Sequence, residues 1–147
     1  MDIMRMESGF LHWGHDISPE ENQYQAGLKF AISYKKNINF VGKEALLKIK
    51  DQNPTKSLAM MVLKDNRPGE PLLLHEEPIY LDDKIIGRTT SGNYSFNFKK
   101  NISFGYVNSG NTIENLVNKN LSIEVEKKKY PVTIIKKPLN QKNIKDI

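Results

Sequence analysis

The most varied cluster of side chains able to do chemistry lies in residues 4–17 of this 147-residue chain. Arg5, Glu7, His12, Trp13, His15 and Asp16 all fall there, among them the only Trp and two of the three His. Arg5 offers a planar fork of N–H donors, suited to a carboxylate or to the polar edge of a pterin-like ring. Its alternative partners are Glu7 or an acid of another domain. Two residues apart on a helix, Arg5 and Glu7 do not face each other, so each needs its own partner and Glu7 reads as structural. His12, His15 and Asp16 bring nitrogen and oxygen donors close together, as a metal site would. His75 lies far along the chain, and an i, i+3 pair arises easily by chance, so satisfied or exposed histidines are the preferred reading. Trp13 is expected to fill a junction between helix and barrel in preference to stacking on a flat ligand.

Other candidates carry less. Thr90-Ser91-Gly92 lacks the Gly-x-Ser-x-Gly frame of a nucleophile turn and no paired His and Asp constellation is implied, so a barrel corner is the better account. Glu76 and Glu77 are adjacent, and adjacent strand residues point to opposite faces, which prevents an acid/base pair across one substrate. Gly105 and Gly110 form no phosphate-cradling loop. No catalytic residue and no metal ligand is assigned.

The elements that must position these residues follow from periodicity. Met6, Phe10 and Trp13, with Met4 and Leu11 beside them, form an apolar stripe at helical spacing. Gly9 and Gly14 weaken a continuous helix, which is expected to end near Phe10. Ser18-Pro19-Glu20-Glu21 is a helix-start signature that predicts a short helical turn. Leu28, Phe30, Ile32 and Tyr34 alternate with Lys29, Ala31 and Ser33, predicting a half-buried strand over 25–34. Residues 43–52 give a helical stripe ended by Asn53-Pro54.

From Ser57 the pattern changes to short strands: 57–63, 72–81 interrupted by Pro78, 84–90, 102–107, 121–126 and 130–136. Asp82-Asp83 predicts a tight hairpin, Gly87 a bulge, and 108–120 a polar loop holding one helical turn. The fold class is therefore α+β: a short mixed helical and strand segment over 1–54, then a small antiparallel β-barrel of about six strands over 56–137, then a tail over 138–147.

A net charge of +5 and a sequence pI near 9.3 favour anionic partners. The lysine pairs and triplet (Lys35-Lys36, Lys99-Lys100, Lys127 to Lys129, Lys136-Lys137) flank expected turns, so solvated turn faces account for most of that charge. Zero cysteines exclude disulfides, thiolate metal sites and a cysteine nucleophile. With no run of 18 apolar residues and no signal-peptide core, a soluble, cytoplasmic protein without a membrane role is expected.

Arg5-Met6-Glu7-Ser8-Gly9, then Trp13-Gly14-His15-Asp16-Ile17, Ala26-Gly27-Leu28 and Phe40 to Leu46, resemble the glycine cleavage T-protein (aminomethyltransferase) superfamily. Thr90-Ser91-Gly92, Asn101 to Val107 and Lys137-Pro138-Leu139 continue the pattern in order, so the resemblance covers nearly the whole chain. It is nearest to the carboxy-terminal module of dimethylglycine and sarcosine dehydrogenases. The resemblance implies a remnant of the folate-binding domain over 1–54 and the T-protein barrel over 56–137. It also implies that Arg5 contacts tetrahydrofolate in one-carbon transfer.

FAD, in dehydrogenase relatives, would belong to a separate amino-terminal domain. The family's catalytic Asp lies in an amino-terminal part with no counterpart here, so catalysis by this chain alone is not expected. A separate chain carrying that part is an expected partner. The Tyr that T-proteins place near their carboxy terminus also lacks a counterpart, Ile144 lying nearest. The competing reading is a non-enzymatic basic β-barrel for single-stranded nucleic acid or a protein partner. It rests on Tyr94, Phe96 and Phe98 alternating before Lys99-Lys100.

Overall fold

After Ser57 the run Leu58 to Leu63 has six consecutive apolar residues and no polar position to leave in water. In the computed structural model, which describes residues 2–36, 38–64, 67–108 and 113–135, strand β1 (Ser57–Leu63) is buried on both faces. Side chains alternate along a strand. Ala59, Met61 and Leu63 enter one core, whereas Leu58, Met60 and Val62 enter another. The first core draws on every strand, with Ile79, Ile86, Val107, Ile123 and Ile134 among its members, and fills the barrel. The second lies on the outer face of β1 and its neighbours, where Met6 joins Phe104, Ile102 and Tyr106.

The barrel closes in the order β1-β4-β3-β2-β5-β6, with every pairing antiparallel. The other strands are β2 (Pro78–Leu81), β3 (Lys84–Ser95), β4 (Lys100–Val107), β5 (Leu121–Val125) and β6 (Lys128–Ile135). Helices are few and short: α1 (Asp2–Glu7), α2 (Lys43–Ile49) and α3 (Ile113–Leu116). This is the expected α+β class with six barrel strands. The Asp82-Asp83 hairpin and the helical turn in the 108–120 loop are also present. No helix among the described residues is long and apolar enough to cross a membrane. The expected tail over 138–147 lies outside the described residues.

Several expectations need correction. Residues 25–34 form no strand; a short 3-10 turn occupies Lys29–Ala31, and Phe30 is 85% exposed. The alternation was present but no sheet edge was: β1 is already paired on both sides, with β4 and β6. Gly27 also turns the chain at φ +71. The short turn expected at Ser18 is present, with the Glu21 amide donating to the Ser18 carbonyl at 3.3 Å and the Ser18 backbone N–H and hydroxyl both donating to Glu21 Oε2 at 2.9 and 2.7 Å, but it does not lengthen into a helix. Glu21 also forms an ion pair with Lys56 at 2.6 Å.

The segment 72–77 is loop, so β2 begins only at Pro78; β3 compensates by running to Ser95. The β5–β6 connection is the two-residue turn Glu126-Lys127, both at positive φ, tighter than the three-lysine loop expected. The apolar stripe of α1 is not buried as a unit. Met6 is inaccessible, whereas Met4, two residues away and so off its face, is exposed, and Phe10 and Trp13 are exposed because the helix stops at Glu7 and the later residues lose its spacing.

Candidate functional site

Two bulges in β3 shape the site. Against β2, Ile79 pairs with Gly87 and Tyr80 with Ile85, so Ile86 is the extra residue; the bulge lies next to Gly87 and not at it. Against β4, Thr89 pairs with Gly105 and Ser91 with Phe104, so Thr90 is extra. Neighbouring strand residues ordinarily face opposite sides, but a bulge re-aims one of them. Thr90 and Ser91 therefore turn their hydroxyls to the same point.

That point is Asp16. Its side chain is wholly buried, and its carboxylate accepts four hydrogen bonds. Oδ1 takes Thr90 Oγ1–H at 2.6 Å and Ser91 Oγ–H at 2.7 Å. Oδ2 takes an Arg5 guanidinium N–H at 2.6 Å and the His12 backbone N–H at 2.9 Å. The Tyr106 hydroxyl donates to the Asp16 carbonyl at 3.0 Å. Burial pushes the Tyr106 phenol well above its ordinary value, and the negative charges of Glu21 and Asp16 add to that. It thus remains a donor throughout the neutral range.

Arg5 completes the network. Beyond Asp16 it donates to Ser91 Oγ at 2.9 Å, to the Phe10 carbonyl at 3.2 Å and to Asp2 at 3.2 Å. Its carboxylate partners are therefore neither Glu7 nor an acid of another domain but the exposed Asp2 and the buried Asp16, eleven residues on. Glu7 has separate work, as expected: it accepts from Ser95 Oγ and from Asn97 Nδ2, tying α1 to the β3–β4 turn.

A pocket of about 260 Å³ opens beside this network, with Arg5, His12, His15, His75, Ser91 and Asn93 on its walls. A larger groove of about 660 Å³ lies over Lys56, Glu21 and Tyr106. His15 and Thr90 line both, so the two cavities adjoin at the Asp16 network, to which Thr90 is bonded.

The other sequence candidates are placed as follows. Trp13 is 64% exposed and fills no junction. The turn from His12 to Asp16 is closed by the Asp16 and His15 amides on the His12 carbonyl and by Gly14 on Ile17, and it points Trp13 outward. Thr90 and Ser91 sit inside β3, not at a barrel corner, and help make the buried anion site that their motif did not suggest. The Glu76 carboxylate pairs with Arg88 at 2.7 Å while the Glu77 carboxylate accepts from the Thr89 hydroxyl and, at 2.8 Å, from the Leu74 amide, so these two carboxylates do diverge. Phe98 packs into the outer core and leaves Tyr94 and Phe96 as an edge-on pair at 5.1 Å, which breaks the proposed aromatic stripe. His75 stands beside His15, a neighbourhood invisible in the sequence. Asp16 was weighed only as a metal donor. The available signal was the hydroxyl run Thr89-Thr90-Ser91 in the middle of a strand, since hydroxyls buried there need partners.

Glu21 supplies a pH test of the seam between the amino-terminal segment and the barrel. Burial alone would push its pKa up, but the ion pair with Lys56 and the hydrogen bonds from Ser18 outweigh burial and hold it below its ordinary 4.5. A carboxyl depressed in the folded state stabilises above its unfolded pKa and loses that contribution as pH falls through the folded value. The melting-temperature gap between the parent and Glu21→Gln should therefore stay constant from neutral pH to about 5 and close at lower pH. Absence of a gap at neutral pH would mean that the Glu21–Lys56 pair contributes nothing.

Comparison with known proteins places this geometry. Residues 56–140 match the family model of the glycine cleavage T-protein C-terminal barrel domain. The chain is 42% identical over 94 residues to 4-methylaminobutanoate oxidase (formaldehyde-forming) of Paenarthrobacter nicotinovorans, covering 64% of this chain and 11% of that protein. It is 32% identical over 141 residues to mitochondrial dimethylglycine dehydrogenase of Mus musculus, covering 95% of this chain and 15% of that protein. The crystal structure of glycine cleavage system aminomethyltransferase T from Bartonella henselae superposes with a TM-score of 0.80 at 21% identity, over 97% of this chain and 38% of that one. The chain thus spans well under half the length of each.

Proposed function

The chain belongs to the glycine cleavage T-protein C-terminal barrel family, and from that premise we propose that it is the folate-side module of an enzyme of aminomethyltransferase or N-methyl-amine dehydrogenase type. Residues 1–54 would be the last part of the folate-binding domain, and the barrel beyond them would close the folate cavity from one side. Tetrahydrofolate, when bound, would accept the one-carbon unit released from the amine. This chain would bind and orient, and proton transfer would fall to groups supplied by a companion polypeptide.

The observation that carries this reading is Arg5. Its guanidinium is held rigidly in the wall of a pocket by Asp16 and Ser91, with the side chain still 19% exposed. Four of its five N–H donors are taken by Asp2, Phe10, Asp16 and Ser91, which leaves one Nη2 hydrogen, fixed in direction, together with the positive charge, for a ligand at the cavity edge. At about 260 Å³ the pocket is smaller than the roughly 300 Å³ at which ligand sites begin, so it fits part of a folate and leaves the remainder to another wall. The position of that wall is suggested by Met4, Phe10, Trp13, Phe30, Val41 and Leu47, apolar side chains of residues 1–54 that are all exposed. Surfaces of this kind mark interaction sites.

The test is calorimetric titration of the chain with tetrahydrofolate at low and high salt, for the parent and for Arg5→Lys. Lysine keeps a positive charge for Asp16 but loses the fork, so the fold survives while recognition does not. Binding should weaken at least about tenfold, which is ~1.4 kcal/mol, and should change little with salt. Steep salt dependence would favour the nucleic-acid reading instead. No binding by a folded parent chain would sink the folate role.

A further inference from the structure

We propose that His12, His15 and His75 form a binding site for a divalent transition ion of the zinc type at the mouth of the Arg5 pocket. The proposal is independent of the folate reading. The fold brings together three imidazoles that the sequence separates by up to 63 positions (75 − 12). His12 and His15 stack with ring centres 4.6 Å apart and planes 14° from parallel; His75 lies 6.5 Å from His15, tilted by 58°. All three are exposed, and no hydrogen bond ties any of the rings to another described residue. Their nitrogens are therefore available as ligands.

Distance selects the ion. Zinc–nitrogen bonds of about 2.0–2.1 Å in tetrahedral geometry put the centres of two ligating imidazoles roughly 5 Å apart. Two of the three ring pairs, at 4.6 and 6.5 Å, lie on either side of that separation. Among the described residues no three such groups yet stand in a ligating array. The near-parallel His12 and His15 rings must turn to aim their nitrogens at one point, a change of side-chain rotamer open to exposed residues. Borderline-soft imidazole suits zinc, copper or nickel and not magnesium or calcium.

Charge does not forbid it. Arg5 lies on the same pocket wall, but the carboxylates of Asp16 and Asp2, at 2.6 and 3.2 Å from it, outweigh its single positive charge. A bound ion would clamp the His75 loop onto the His12–Asp16 turn, with one coordination position left for water or a ligand.

The experiment uses the untagged chain, freed of metal with a chelator and titrated calorimetrically with zinc chloride and, separately, magnesium chloride. His15→Ala and His75→Ala are run alongside, each with a melting curve in zinc-free buffer. One zinc per chain at micromolar affinity, a raised melting temperature with zinc, and no magnesium heat are expected. Each variant should lose at least tenfold in affinity while melting like the parent without zinc. Absence of zinc heat in the parent overturns the proposal. So does an unchanged affinity in His75→Ala, which would mean a two-histidine site that does not join the loop to the turn.

Discussion

Replacing Asp16 by alanine is expected to lower stability by about 3–5 kcal/mol, the cost of removing one partner from a buried ion pair. Four donors lose their acceptor at once, from Arg5, the His12 amide, Thr90 and Ser91. Arg5 keeps its place in a wall that no longer neutralises it. For a chain of this length, each 1 kcal/mol shifts melting by roughly 3–4 °C, so the drop should be about 10–20 °C. Against a typical domain stability of about 5–15 kcal/mol, part of the population would be unfolded at physiological temperature.

Asp16→Asn separates geometry from charge. Its amide oxygen can still serve Thr90 and Ser91, but its NH₂ must then face the Arg5 and His12 donors, so it should fall between the parent and the alanine variant. Pairing Asp16→Ala with Arg5→Met removes the stranded cation and should recover part of the loss, a coupling readable in a double-mutant cycle. An alanine variant melting within about 2 °C of the parent would mean that the buried network contributes no net stability.

The barrel was legible in the sequence because its signal is local. Short alternating runs, the Asp82-Asp83 turn and the continuous apolar stretch from Leu58 to Leu63 each belong to one element. The alternation from Leu28 to Tyr34 has the same local form and misled, because a strand also needs an edge to pair with and the closed barrel offers none. Closure is a property of the whole sheet.

The site failed to show for the same kind of reason. Asp16 reaches Thr90 and Ser91 across 74 and 75 positions. Two consecutive strand residues can share one target only through a register shift that no residue type announces. Arg5 was singled out by its chemistry, but its pairing with Asp16 was not foreseen, because residue spacing describes helix neighbours and says nothing of a turn folding back onto the helix.

The bulged register itself is open to a severe test at Gly87. A Cβ built there would lie 1.9 Å from the Tyr106 carbonyl oxygen, 2.9 Å from its carbon and 3.0 Å from the Val107 Cα. All three are backbone atoms of β4, which cannot swing away as a side chain would, and β4 is pinned on its far side by β1. Gly87→Ala must therefore push β3 and β4 apart at the Gly87–Val107 pair. That strains the position of Tyr106, whose hydroxyl holds the Asp16 carbonyl. The expected loss is at or above the ~1–3 kcal/mol usual for overpacking.

Gly42→Ala is the matched comparison. Its Cβ would meet nothing within 4 Å, and its only penalty is a backbone φ of +88°. That penalty is about 1–2 kcal/mol for an L-residue. Urea unfolding should thus rank Gly87→Ala as the more damaging of the two, with near-ultraviolet dichroism reporting a disturbed Tyr106 in that variant alone. Equal losses would contradict the close approach of β3 to β4. With it would go the register that carries Thr90 and Ser91 to Asp16, and so the rigid seat of Arg5 on which any recognition at this end of the barrel depends.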